Sequence, residues 1–107
     1  MKFVRTARYR KDMERLGASA RDIARLEAAI AAHPTAGDVI PGLRGLRKLR
    51  FALAGRGKRG GGRAIYFLML AEDTVIMLFA YSKSAQEDLS LDQKRAVLAL
   101  LRELTDG

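Results

Sequence analysis

The chain has no cysteine in its 107 residues, which excludes a disulfide framework, a thiolate metal site and a cysteine nucleophile. Histidine is almost as scarce. The only one, His33, stands before a proline at an expected helix end, so conventional histidine acid–base catalysis is poorly supplied. No group of His, Asp and Glu has metal-ligand spacing, and the acids fall mostly in turns and on helix surfaces, so no metal site is expected. Long apolar runs are missing too: residues 1–8 contain no signal-peptide core, and no later stretch reaches the span of a membrane helix. These absences predict a folded, soluble, cytoplasmic protein with no membrane association. The length predicts one domain spanning residues 1–107.

What the chain does have is positive charge in one place. The net charge is +8, and between Gly42 and Arg63 lie Arg44, Arg47, Lys48, Arg50, Arg56, Lys58, Arg59 and Arg63 with no acid among them. The rest of the chain balances twelve Lys and Arg against twelve Asp and Glu, so the whole excess belongs to one segment. A solvated face carries balancing acids nearby. A block without them is the electrostatic footprint of a polyanion site, because every phosphate neutralised releases counterions. RNA is the expected polyanion.

The periodicity predicts an α+β fold: a helical hairpin, then a small antiparallel sheet and a C-terminal helix. Residues 3–5 suit a short opening strand. Thr6 can cap a helix with Tyr9, Met13 and Leu16 on one face, ended by Gly17. Ser19 and Asp22 resemble a capping box before a second helix with Ile23, Leu26 and Ile30 on one face, stopped at His33-Pro34. After the turn-rich passage 37–42 the period changes to two: Leu49, Phe51 and Leu53 point to one side of a strand, Lys48 and Arg50 to the other. Residues 54–62, with five glycines and three basic residues, read as a cationic hairpin loop. Residues 63–70 and 74–81 are apolar strands joined by an acidic turn, and Ser90 with Gln93 starts a last helix bearing Val97, Leu100, Leu101 and Leu104. The expected packing places the helices on one face of the sheet and the basic residues on the other.

The chemistry left open is metal-free. Gly57-Lys58 is followed by Arg59 and then a strand, where a phosphate loop of the nucleotide-hydrolysing kind needs Ser or Thr and a helix. A meander of three strands brings Lys48, Arg50, Lys58, Arg63, Tyr81 and Lys83 toward one side. Attack of an RNA 2′-hydroxyl on its own phosphate needs alignment, stabilisation of the added negative charge and a proton for the leaving oxygen; guanidinium and ammonium groups supply the second. Arginine cannot be the base. Lys83, Lys48 and Lys58 are the candidates for proton exchange, on the expectation that neighbouring cations lower a lysine pKa, and Tyr81 is a candidate to donate a hydrogen bond or stack on a base. Tyr81 equally suits a packing role at a sheet edge. Arg47, Arg56, Lys58 and Arg59 are expected phosphate contacts.

At these residues the sequence resembles the RelE superfamily of bacterial toxins, closest to its HigB-type branch. The resemblance is carried, in order, by Gly37-Asp38-Val39-Ile40-Pro41-Gly42, Gly45-Leu46-Arg47-Lys48-Leu49-Arg50, Gly57-Lys58-Arg59-Gly60-Gly61, Arg63-Ala64-Ile65-Tyr66-Phe67, and Tyr81-Ser82-Lys83 with Glu87-Asp88-Leu89-Ser90. It covers nearly the whole chain and implies a RelE-like fold. It also implies the toxin of a type II toxin-antitoxin system: a metal-independent, ribosome-dependent messenger-RNA endoribonuclease that inhibits translation. The implied partners are the ribosome and its messenger RNA, and a cognate antitoxin, commonly one with a helix-turn-helix domain; no cofactor is implied. By position the family's active groups fall at Lys48, Arg50, Arg63 and Lys83, with Lys58 and Tyr81 nearby. Gly62 departs from the frequent aromatic before the arginine, and Ser84 from a polar amide or second basic residue. The alternative function is a non-catalytic RNA- or ribosome-binding domain, a degenerate toxin neutralised by or scaffolding an antitoxin.

Overall fold

The computed structural model describes residues 1–54, 61–86 and 88–106. The body of the expected glycine loop, including Arg56, Lys58 and Arg59, therefore lies outside the described residues. Strand β1 (Lys2–Arg5) leads directly into α1 (Ala7–Arg15), because the Thr6 hydroxyl accepts from the Tyr9 backbone N–H at 3.1 Å and caps the helix. The same hydroxyl donates to the Met77 carbonyl at 2.9 Å, which ties the helix start to the sheet. Gly17, at φ 73°, takes the left-handed conformation that ends the helix. Ser19 and Asp22 form the expected capping box of α2 (Ala20–Ala32), and His33 caps its other end.

The remaining strands are β2 (Asp38–Val39), β3 (Arg47–Phe51), β4 (Gly62–Met69) and β5 (Thr74–Ser82), followed by α3 (Leu91–Asp106). One sheet has the order β1-β5-β4-β3-β2. The expected meander forms its centre, but the sheet is mixed: β1 runs parallel to β5, while the other pairs are antiparallel. A parallel neighbour is possible there because the long connection through both helices and the meander, instead of a hairpin, separates β1 from β5. The passage 37–42, expected as turn, supplies the two-residue edge strand β2.

The layering corrects the expectation that the helices share one face. Tyr9, Met13, Leu26 and Ile30 of α1 and α2 pack with Ala64, Tyr66, Val75 and Met77. On the other side Val97 and Leu101 of α3 pack with Ile65, Ile76, Leu78 and Phe79. The reason lies in β5: every residue from Thr74 to Tyr81 is buried, so both of its faces need an apolar cover, and α1 with α2 supplies only one. The basic face is thus a half-covered face.

Two local features fix which side chains reach it. Ile65 pairs with Phe79 and the next residue, Tyr66, with Met77, so Leu78 is an extra residue on β5. Before this bulge Ile76 and Leu78 point toward α3; after it Phe79 and Tyr81 do. Gly62 lies directly opposite Phe51, whose ring would stand 2.5 Å from a Cβ at that position. The space beside Gly62 is filled from the neighbouring strand.

Candidate functional site

Direct cross-strand partners project to the same side of a sheet, so the pairing register defines the site. Arg50 pairs with Arg63, and Arg63 with Tyr81, which makes one row of three on the α3 side. The adjacent row runs Asp38, Lys48, Ile65, Phe79. Lys83 follows Tyr81 by two residues, its backbone N–H donating to the Gly61 carbonyl at 3.2 Å. These rows open into a concavity of about 490 Å³ lined by Ala36, Asp38, Lys48, Leu49, Arg50, Arg63, Lys83 and Asp88. A second hollow of about 320 Å³ shares Asp38, Lys48 and Asp88 and adds Tyr81, Leu89 and Lys94.

Five candidates from the sequence therefore come together: Lys48, Arg50, Arg63 and Lys83 around one concavity, and Tyr81 on its border. Arg47 does not join them. It pairs with Tyr66, and its guanidinium donates to the carbonyls of Thr35 at 3.2 Å and Gly37 at 2.8 Å, so it braces the turn before β2. Arg56, Lys58 and Arg59 lie outside the described residues. Asp38, Asp88 and Lys94 were not singled out in the sequence; Asp88 stood inside a quoted motif, but next to Ser90 and Gln93 it carried only the signal of a helix start.

Arg63 is the unusual member. It is 7% exposed, yet among the described residues it has no ion pair, and its guanidinium makes a 3.3 Å bond to the Gly62 carbonyl. A buried charge without a counter-ion is costly, and like charges on directly paired strand positions add to that cost. Arg50 and Arg63 are such a pair. An anion seated between them would relieve both penalties through charge-assisted, planar hydrogen bonds.

Burial pushes the Tyr81 hydroxyl above the usual tyrosine range; Lys48 and Arg63 pull it down and Asp88 pushes it up. The phenol is a proton and hydrogen-bond donor at neutral pH. Its ring meets Phe79 edge to face, centroids 6.2 Å apart, which settles its packing role without removing its position beside the pocket. Lys48 Nζ lies 2.8 Å from Asp88 Oδ1. The hydrogen bond that Lys48 donates to Asp88 holds the ammonium above the usual lysine range, and the same bond holds the Asp88 carboxyl below the usual carboxylate range, aided by Lys94 and Arg63. The expectation of a lowered lysine pKa is thus overturned at Lys48, because a carboxylate at contact distance outweighs the cations around it. Among the described residues no group of three or more His, Cys, Asp or Glu is placed to hold a metal, and no helix is long and apolar enough to cross a membrane.

A half-covered mixed sheet with a cationic row beside its C-terminal helix is a RelE-like α+β fold. Among solved structures the chain is similar to a free-state mutant of the Escherichia coli toxin RelE in which two arginines are replaced by alanine; the TM-score is 0.56 at 10% sequence identity, over 94% of this chain and 95% of that one. No family model matches the sequence.

Proposed function

We propose that this chain is the toxin of a type II toxin-antitoxin system, an endoribonuclease that cuts messenger RNA on ribosomes without a metal ion. The observation that carries the reading is Arg63: a buried guanidinium, without an ion pair among the described residues, facing Arg50 at a concavity whose other cations are Lys48 and Lys83. The order of the sequence motifs supports a HigB-type member, with a cytoplasmic setting and an antitoxin bearing a helix-turn-helix domain as partner. In the reaction the ribose 2′-hydroxyl gives its proton to solvent water and its oxygen bonds to the adjacent phosphorus, while the bond to the 5′-oxygen breaks and that oxygen takes up a proton, leaving a cyclic phosphate and a 5′-hydroxyl end. Arg50 and Arg63 donate to the non-bridging oxygens and stabilise the charge that accumulates there. Lys48 adds a fixed positive charge, and Tyr81, held protonated, is a donor for the leaving oxygen or its phosphate.

Primer extension on ribosome-bound messenger RNA tests this. Wild-type protein gives new 5′ ends, and Arg63→Ala reduces their rate on the order of 10²–10³-fold with ribosome binding largely kept. One observation favours the rival reading of a docking domain without catalysis: Lys48 is moved away from neutrality, the wrong direction for a lysine base. If wild-type protein arrests growth but no new ends appear, docking is the correct reading.

A further inference from the structure

The segment between β5 and α3 carries a carboxylate into a cationic pocket, and contacts independent of β3 hold it there. Gln86 Nε2 donates to the Asp88 carbonyl at 2.8 Å and to Gln93 Oε1 at 2.7 Å, and Gln93 Nε2 returns a bond to Gln86 Oε1 at 3.3 Å. Gln93 is itself fixed by the cap of α3: its Oε1 accepts from the Ser90 N–H at 2.9 Å, and its N–H donates to the Ser90 hydroxyl at 3.2 Å. Leu89, 7% exposed, anchors the next position in the α3 core. The Asp88 backbone is therefore held at its carbonyl and by the residue that follows, while its side chain is 73% exposed and reaches Lys48.

Lys48 sits in the reverse situation. It lines one concavity with Arg50 on its own strand, Arg63 on β4 and Lys83 after β5, and the adjoining hollow with Lys94 on α3; Arg63 acts against its ammonium, and Asp38 on β2 and Tyr81 on β5 share its surroundings. An exposed ion pair of this kind contributes little to stability, so its effect is on where the ammonium stays. We infer that Asp88 is a positioning residue of the proposed nuclease, acting through Lys48 to hold the ammonium beside Arg63 where a bound phosphate meets both. The inference rests on the reading given above and assigns a role to a residue outside the cationic set. The raised Lys48 pKa keeps the pair's contribution complete below the ordinary lysine value, and it is lost as pH rises through the raised one. The lowered Asp88 pKa keeps it complete above the ordinary aspartate value, and it is lost as pH falls through the lowered one. The pair is intact throughout the neutral range.

The test uses Asp88→Asn and Asp88→Glu in the full chain, with thermal unfolding to establish that both fold like wild type. For Asp88→Asn, single-turnover cleavage on ribosomes falls on the order of tenfold to a hundredfold. Ribosome binding stays equal or tightens, because a negative charge has gone, and the alkaline limb of the pH–rate profile moves to lower pH. Asp88→Glu recovers part of the rate. NMR titration of the Lys48 side chain shows its pKa falling in Asp88→Asn. If wild type cleaves and Asp88→Asn cleaves as fast or faster, Asp88 competes with substrate and the positioning role is wrong; an unmoved Lys48 titration also overturns it. If wild type yields no new ends, the nuclease reading itself fails and takes the catalytic role of the pair with it, a result distinct from the other two.

Discussion

On the α1–α2 face the buried carboxylates are fully engaged. Asp12, 2% exposed, accepts from the Ala80 backbone N–H at 3.0 Å and from Arg8 at 3.0 Å, with Arg15 at 3.6 Å. Asp22 accepts from the backbone N–H groups of Ser19 and Ala54. On the α3 face Arg63 is buried to a similar degree and among the described residues bonds to the Gly62 carbonyl with no ion pair. Both faces bury charge, but the first spends it on locking α1 to β5, and the second leaves it, among the described residues, without a counter-charge at the mouth of a concavity. The contrast teaches that burial alone does not mark a functional group; a buried charge without a counter-charge at the mouth of a concavity does, because that is the condition an incoming anion relieves.

The contrast can be broken by mutation. The largest stability effect belongs to Asp12→Ala, which leaves the buried Ala80 N–H without an acceptor; urea unfolding gives a loss of about 2 kcal/mol. Arg63→Met runs the other way: stability is unchanged or rises by about 1 kcal/mol while cleavage is lost, since an unpaired buried charge is replaced by an apolar chain. If Arg63→Met unfolds the protein as Asp12→Ala does, the two faces do not differ as described. The smallest effect concerns Tyr9. Its hydroxyl is fully buried with no hydrogen-bond partner, and burial, with Glu27 adding to it, pushes its pKa far above the usual range, so it stays neutral. Tyr9→Phe is neutral or stabilising by up to about 1 kcal/mol in the same assay, and leaves cleavage untouched.

Much of the fold was legible in the sequence because its signals are local. Thr6, Gly17, the Ser19–Asp22 box and the Ser90–Gln93 box each act within one helical turn, and the alternation of Lys48, Leu49, Arg50 and Phe51 needs only the pleat of one strand. The cationic cluster was also legible, since eight basic residues without an acid require no coordinates to count. Asp88 was not, because its role depends on a lysine forty residues away across the sheet. The surroundings of Arg47 were hidden for a related reason: its place in the charge block was visible, but the turn carbonyls that engage it were not.

The sequence by itself determined the helices with their ends, the identity of the four longer strands and the place of the positive charge, all products of spacing within a segment. Only the tertiary structure decided which face each segment serves. The extra residue Leu78 reverses the alternation of β5 and brings Phe79 and Tyr81 to the side of Arg63, and α3 takes the face that α1 and α2 leave open. Neither is encoded in any one segment: a bulge exists only relative to a partner strand, and a helix chooses a face only when the other is already filled.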